Sequence, residues 1–223
     1  MTHLARSKSE HPFAVTWPFE MPESWKLVPF KRLVRIRDGQ VDPTLPAFAD
    51  LPLYAPNFIE SGTGKLLGIE TAEAQGAISG KYPVQMGEIL YSKIRPALRK
   101  ATVAPQNGLC SADMYALRPL DSADTRFLFY SILSDGFSVS AELASDRVAM
   151  PKVNRDSLGD ILLPTTDLAI QKKTADFLDR KTAAIDALIE KKRKLVELLQ
   201  EYRQALITAA VTGQLEIPEE PQE

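Results

Sequence analysis

The side chains best suited to chemistry in this sequence are cations, and they cluster in two stretches. Residues 25–37 contain five basic residues and no acidic one, and residues 81–100 contain five basic residues against Glu88 alone. Lysine and arginine neutralise nucleic-acid phosphates and release counterions, and contacts to base edges then supply sequence preference. The two stretches therefore predict a nucleic-acid-binding face. Solvated surface charge also explains either stretch taken alone, so that alternative stays open.

Catalytic or cofactor chemistry has little support among the remaining residues. The Gly62-Thr63-Gly64-Lys65 segment has the composition of a phosphate-binding loop, but Leu66 stands where that motif requires serine or threonine. Cys110 is the single cysteine, and we interpret it as a small, half-buried residue. His3 and His11 lie in a polar N-terminal stretch, and no histidine–cysteine grouping has the spacing of metal ligands. We therefore predict no catalytic centre, metal site or cofactor on this chain.

Composition sets the class of protein. The 223 residues are 44% hydrophobic and 25% charged, which is typical of a soluble chain that can form a core. The formal net charge is −2, whereas a free-standing DNA-binding domain is usually basic. Local patches or a partner must therefore supply the positive charge. No run of about 18 apolar residues is present to span a bilayer, so we expect a cytoplasmic protein without membrane contact.

Four regions follow from the distribution of proline, glycine and apolar residues. We predict a flexible arm at residues 1–20, a mixed α+β (α/β) domain with many loops at 21–165, a long coiled-coil helix at 166–213 and a flexible tail at 214–223. Within the domain we predict strands at 66–69, 89–91, 101–104 and 113–117, a turn at 105–108, helices at 125–133 and 137–143, and irregular stretches at 41–56 and 148–161.

The long helix has the clearest sequence signal. Residues 168–212 contain neither proline nor glycine and are rich in strong helix formers. Asp167 and the two threonines before it offer N-cap oxygens, and Gly213 supplies a stop. A single helix of this length would run roughly 65–70 Å at 1.5 Å per residue.

A heptad seam of apolar residues runs along this helix, and it predicts a surface for a partner. Packing against its own domain is the alternative, but so long a stripe would leave a large exposed apolar patch on a monomer. Lys192 interrupts the stripe, and two interpretations are open. Either it fixes the register of a helix pair, or its stem lies along the seam while its ammonium reaches solvent. The predicted interface residues are Leu178, Ile185, Leu188, Lys192, Leu195, Leu199, Tyr202, Leu206 and Ala209.

An ordered set of segments resembles the specificity subunit of type I restriction–modification systems. The resemblance covers about residues 22–217. It begins with Gly87-Glu88-Ile89-Leu90, followed by a basic segment containing Pro96, and continues in the expected order. The later segments are Gly108-Leu109-Cys110-Ser111-Ala112-Asp113, Met150-Pro151-Lys152-Val153-Asn154, Ile161-Leu162-Leu163-Pro164 with Ile170-Gln171 and Phe177-Leu178-Asp179, and residues 205–213.

The resemblance implies a division of labour. In that family a target-recognition domain binds double-stranded DNA, and long helices dock methyltransferase subunits that use S-adenosylmethionine to methylate adenine. A separate translocase–nuclease subunit adds cleavage. The usual subunit has two recognition domains and two antiparallel helices, whereas this sequence has one of each, as in a half-size form. A two-fold homodimer would restore the symmetry and would recognise an interrupted palindrome.

Two other functions stay open beside this one: an interaction-only subunit that docks methyltransferase without recognising DNA, and an independent enzyme. For the first hypothesis we expect most cations to contact phosphate, and we place base contacts in loops 60–65 and 145–155. Three of the DNA-contact candidates lie within the segments that carry the resemblance, and the others are chosen by charge and loop position. The candidates are Lys65, Lys81, Lys93, Arg95, Arg99, Lys100, Arg147, Lys152 and Arg155.

Overall fold

A computed structural model describes residues 21–145 and 149–216. The chain divides into two compact units, residues 1–175 and residues 176–223. The predicted arm at residues 1–20, Arg147 and most of the predicted tail lie outside the described residues.

The described residues form ten short strands and five α-helices. The strands are β1 (Lys26–Pro29), β2 (Val34–Ile36), β3 (Pro52–Tyr54), β4 (Glu70–Thr71), β5 (Tyr82–Val84), β6 (Ile89–Ser92), β7 (Ala101–Val103), β8 (Gly108–Cys110), β9 (Met114–Pro119) and β10 (Leu162–Thr165). The helices are α1 (Pro46–Ala49), α2 (Thr125–Leu133), α3 (Asp135–Leu143), α4 (Arg155–Asp160) and α5 (Leu168–Val211). Single 3-10 turns lie at Phe30–Arg32, Pro56–Phe58 and Pro96–Leu98.

The strands of the first unit pair into three sheets within the described residues. One sheet has the order β2-β9-β6-β7 and is antiparallel throughout. A second has the order β4-β3-β8-β5, in which β3 and β8 are parallel. Strands β1 and β10 form a separate antiparallel pair. The mixed α/β fold predicted from the sequence is therefore confirmed.

Strand β6 shows how the sequence divides the core. Successive side chains of a strand point to opposite faces of the sheet. Ile89 and Tyr91 accordingly belong to a cluster with residues of α2 and α3, whereas Leu90 belongs to a second cluster with residues of the β4-β3-β8-β5 sheet. All four residues of β6 are buried. An unbroken apolar run is the pattern expected of a strand covered on both faces.

Several local predictions are confirmed and several are wrong. Strands β6, β7 and β9 and helices α2 and α3 lie where they were expected, with α3 beginning two residues early. Residues 66–69 do not form a strand, because Leu66 makes only an isolated bridge to Ile59 and the residues after it have no strand partner among the described residues.

Short elements hidden in stretches expected to be irregular account for the other errors. Helix α4 lies within 148–161, and its N-terminus is capped by Asn154, whose Oδ1 accepts from the backbone N–H of Ser157 at 2.8 Å. The stretch 41–56 contains α1 and β3, and the predicted turn at 105–108 leads into the unforeseen β8. None of these four elements exceeds six residues, which is too short for a periodic signal.

Helix α5 is confirmed, and it begins two residues after and ends two residues before the predicted bounds. Asp167 Oδ1 accepts from the backbone N–H of Ile170 at 2.9 Å, which satisfies one of the free donors at the helix start. At the other end Gly213 has φ of +72°, a conformation that glycine adopts without steric cost, and Gln214 N–H donates to the Ala209 carbonyl at 2.8 Å. No helix among the described residues is both long enough and apolar enough to cross a membrane.

Candidate nucleic-acid interface

The basic turn, residues 93–100 between β6 and β7, is the centre of the candidate site. Lys93 N–H donates to the Asp113 carbonyl at 3.0 Å, and the Lys93 carbonyl accepts from Val153 N–H at 3.0 Å. Arg95 N–H donates to the Pro151 carbonyl at 2.8 Å. Three segments that carry the sequence resemblance are therefore joined here by backbone hydrogen bonds, although they are far apart in the chain.

Three cations that the sequence analysis selected lie together at this junction. We call Lys93, Lys152 and Arg155 the cation cluster. Lys93 Nζ lies 5.1 Å from the ring centroid of Tyr115, and Arg155 Cζ lies 5.6 Å from the same centroid. The face of an aromatic ring attracts cations, so Tyr115 helps to hold two positive charges near one another.

The positive charges of this cluster repel one another. Burial lowers the pKa of Lys93, and the positive charges of Lys152 and Arg155 lower it further, while Asp113 partly opposes this shift. Like charges within a few ångströms disfavour the charged form of each. An anion bound at this position would relieve the repulsion, and a phosphate oxygen is the anion that lysine and arginine commonly bind.

Arg155 is also fixed from a second side. Its Nη2 donates to the Arg37 carbonyl at 2.8 Å, and its Nη1 pairs with the exposed carboxylate of Asp38. Its Cζ lies 5.9 Å from the ring centroid of Tyr82. These contacts hold the guanidinium in place while a third of the side chain stays exposed.

Two other predicted DNA contacts are bound by the protein itself. Lys81 is only 7% exposed, and its Nζ donates to the Ser79 carbonyl at 2.6 Å and to Ser79 Oγ at 2.8 Å. Burial lowers the pKa of Lys81, and Asp113 partly offsets this effect. Lys100 Nζ donates to the Pro56 carbonyl at 2.7 Å. Both ammonium groups therefore have protein acceptors that a phosphate would have to share or displace.

The remaining candidates differ in how they are held. Arg99 pairs with Asp135, whereas Arg95 and Lys65 are exposed. Lys65 ends the 60–65 loop, and this loop contacts the basic turn because Gly62 N–H donates to the Arg99 carbonyl at 3.2 Å. Arg147 lies outside the described residues.

The 60–65 loop has a structural reason for its glycine-rich sequence. Gly64 has φ of +73°, and a Cβ built there would lie 2.4 Å from Phe129 Cζ and 2.6 Å from the Ala101 carbonyl oxygen. No larger residue fits such a contact, so Gly64 allows the loop to approach β7 closely. This packing explains the Gly-Thr-Gly-Lys segment without a bound phosphate.

A charge network beside the site was not predicted from the sequence. We call Glu88, Arg37, Arg118 and Gln85 the Glu88 network. The buried Glu88 carboxylate accepts from Arg37 Nε at 2.7 Å through both oxygens, from Arg118 Nε at 3.2 Å and from Gln85 N–H at 2.9 Å. Glu88, the residue immediately before β6, thus links Arg37 at the end of β2 to Arg118 of β9. The only sequence signal was its position between a glycine turn and a buried strand.

The cysteine prediction requires a correction. Cys110 is fully buried, where a half-buried residue was expected, because β8 lies between β3 and β5 in its sheet. Burial raises the pKa of the Cys110 thiol to about 12. The thiol is therefore protonated at neutral pH and is a poor nucleophile.

The predicted seam of the second unit lies on an exposed helix face. The central leucines are about half exposed, with Leu188 at 55%, Leu195 at 47% and Leu199 at 56%. Leu178 and Ala209, near the two ends of the seam, are half-buried, and Lys192 is exposed.

Comparison with known proteins agrees with these features. The family model described as the type I restriction modification DNA specificity domain matches residues 22–198. The chain is 33% identical over 196 residues to the type I restriction enzyme EcoDI specificity subunit of Escherichia coli, an alignment covering 87% of this chain and 43% of that protein. It is 24% identical over 208 residues to the MjaVIII specificity subunit of Methanocaldococcus jannaschii, covering 89% and 48%. The chain thus spans about half the length of these relatives.

Solved structures show the same fold. A chain from a structural study of complex assembly and conformational transition of the type I R-M system superposes with a TM-score of 0.67 at 19% identity, covering 88% of this chain and 48% of that one. The HsdS subunit from Thermoanaerobacter tengcongensis gives a TM-score of 0.56 at 19% identity, covering 89% and 47%. With the family model matching most of its length, this chain belongs to the type I restriction–modification specificity subunit family.

Proposed function

We propose that this chain recognises one half of a bipartite DNA target and presents it to methyltransferase subunits that carry S-adenosylmethionine. The observation that supports this most directly is the cation cluster, where Lys93, Lys152 and Arg155 converge on the segments that carry the family resemblance. Methylation and any cleavage by a translocase–nuclease subunit are assigned to other chains, and this chain has no catalytic role.

The cation cluster suits the phosphate backbone. Tyr115 contacts both Lys93 and Arg155, and Arg155 is also held by its hydrogen bond to the Arg37 carbonyl, so little ordering of these two side chains is needed when DNA binds. Phosphate contacts fix the register of a protein on the duplex without selecting a sequence. Arg95 in the basic turn and Lys65 in the adjoining 60–65 loop add exposed positive charge, whereas the charges of Arg99, Lys81 and Lys100 already have protein partners.

The exposed seam of α5 suits another helix. An apolar stripe about half exposed over several turns is unfavourable in water, and burying it in a helix pair is the usual solution. We propose that two copies of this chain pair through the seam and that methyltransferase subunits dock on the same helical unit. Two copies would place identical half-sites in inverted orientation, so the target would be an interrupted palindrome.

The near-neutral charge fits this arrangement. A formal net charge of −2 leaves little general attraction to DNA, so most of the long-range attraction must come from the methyltransferase partners. The local cluster then contributes contacts only when the complex is assembled.

Coexpression with the cognate methyltransferase subunit, followed by genome-wide mapping of methylated adenines, tests the proposal. We expect methylation at one interrupted motif, and at a symmetric one if two copies pair. An asymmetric motif would contradict self-pairing. Copurification of the two proteins without any sequence preference would contradict DNA recognition and favour the interaction-only alternative.

A further inference from the structure

Two arginines of the basic turn share an unusual backbone conformation. Arg95 has φ of 48° and Arg99 has φ of 47°, and they flank the 3-10 turn at Pro96–Leu98. This left-handed region is costly for any residue with a Cβ, and glycine is the residue that enters it freely. Non-glycine residues held there by their surroundings cluster at functional sites.

The backbone on both sides of Arg95 is fixed. Its N–H donates to the Pro151 carbonyl at 2.8 Å, and its carbonyl accepts from Leu98 N–H at 2.9 Å. The preceding Ile94 carbonyl accepts from the buried Ser92 Oγ at 3.0 Å. The position from which the Arg95 side chain starts is therefore set before any ligand binds.

The two arginines differ in the state of their guanidinium groups. Arg99 pairs with Asp135, whereas the Arg95 guanidinium has no hydrogen bond or ion pair within the described parts of the chain. Arg95 lines an open cleft of about 480 Å³ together with Glu142 and Ser145. Glu142 does not neutralise it at ion-pair distance, and one Glu142 oxygen accepts from Ser138 Oγ at 3.2 Å.

A phosphate contact requires only a positive charge within reach, which lysine supplies from a flexible stem. A base contact requires two donors at a fixed position, and a guanidinium fork matches O6 and N7 of guanine in the major groove. We propose that Arg95 is a specificity-determining residue that donates to O6 and N7 of a guanine in the half-site. This inference rests on the proposed function. It assigns Arg95 to a base edge, whereas the cation cluster is assigned to phosphates.

The test uses the full chain in complex with its methyltransferase subunit. The probes are DNA duplexes carrying the methylation motif or a single base-pair change at each position in turn. Arg95→Lys keeps the charge and loses the fork. We expect its salt dependence to match the wild type and its preference for guanine at one position to fall about 5- to 150-fold, the effect of losing one bidentate contact.

Arg95→Gly removes the side chain while suiting the left-handed backbone, so it should fold and lose the same preference. Arg99→Gly is the matched comparison, because it changes an arginine of the same turn and conformation whose charge is already paired. Any loss of binding by this variant should be equal on all duplexes, without a change of preference at one position. If the Arg95→Lys complex discriminates at every position like the wild type, the assignment of Arg95 to a guanine is overturned, but the proposed function is not. A uniform loss for Arg95→Gly on all duplexes with a salt slope smaller by about 1, which indicates a phosphate contact, would overturn the same assignment. A wild-type complex without preference at any position would overturn the proposed function as well.

Discussion

The two units of this chain place the same residue types in opposite environments. In the first unit Ile89 and Leu117 are fully buried, whereas in the second unit Leu195 and Leu199 are about half exposed. Burial of apolar surface is the main favourable term in folding. The first unit therefore buries these apolar side chains internally, whereas the second leaves them accessible on α5.

Charged residues show the same contrast. Glu88 in the first unit is buried and accepts hydrogen bonds from two arginines. Glu190 in the second unit pairs with Lys194 at 3.9 Å while more than half of each side chain is exposed. Substitutions in each unit test this contrast between buried and exposed side chains.

The largest effect is expected for Glu88→Ala. The substitution leaves Arg37, whose side chain is 23% exposed, without its carboxylate partner. Removing one partner of a buried ion pair costs about 3–5 kcal/mol. Denaturant unfolding should show a loss of this size, whereas Glu190→Ala, the matched control, should change stability by less than about 0.5 kcal/mol. Equal losses would contradict the difference between the units.

Truncation of one leucine in each unit should give the next largest difference in stability. Leu117→Ala removes a fully buried side chain from β9 and should cost about 2–5 kcal/mol in unfolding free energy. Leu199→Ala should leave the unfolding of the dilute chain within about 0.5 kcal/mol of the wild type, because its side chain is half exposed. The same variant should weaken self-association in sedimentation experiments. A Leu199→Ala chain as destabilised as Leu117→Ala at low concentration would show that the seam is covered by its own chain.

Gln171 gives an intermediate effect at the start of α5. Its buried amide accepts from Asp124 N–H at 2.8 Å and donates to the carbonyls of Ser122 and Thr166 at 3.1 and 2.8 Å. Gln171→Leu leaves those backbone groups unpaired and should cost about 1–3 kcal/mol. Gln200→Leu, a control on an exposed turn of the same helix, should be nearly neutral by thermal unfolding. A neutral Gln171→Leu would show that the buried amide does not fix this helix start.

The smallest effect is expected from the pH dependence of Cys110. Its pKa is raised to about 12 in the folded chain, against about 8.5 for an unfolded cysteine. Between these values the unfolded state loses a proton that the folded state keeps, so stability falls as the pH rises. From pH 7.5 to 9.5 the wild type should lose about 1 kcal/mol more than Cys110→Ala. Parallel pH profiles for the two proteins would contradict the burial of the thiol.

The sequence predicted the second unit better than the first because of how each is stabilised. Helix α5 has a strong local signal over more than forty residues, so its bounds were predicted to within two residues, Asp167 was one of three predicted cap residues, and Gly213 was the predicted stop. Short elements such as β8 and α4 are too brief for a periodic pattern, and the Asn154 cap of α4 was the one local signal that could have indicated it.

The candidate site follows the same rule. Motif order selected Lys93 and Lys152, charge and loop position selected Arg155, and the structure brings the three together. Charge alone did not foresee that Lys81 is buried, or that Arg99 is paired with Asp135, because both depend on residues distant in sequence or on burial. The role of Tyr115 depends on the pairing of β6 with β9, which was not predicted from the sequence.

The most direct test of the account compares three double variants, each prepared with the methyltransferase subunit. Lys93→Gln with Lys152→Gln should still copurify with the methyltransferase, while the assembled complex binds its DNA more weakly and with a salt slope smaller by about 2. Lys172→Gln with Lys173→Gln is the charge-matched control and should bind normally. Leu195→Glu with Leu199→Glu should unfold at the wild-type temperature but fail to copurify. Normal DNA binding by the first variant together with normal copurification of the last would contradict the assignment of DNA recognition to the first unit and of assembly to the second.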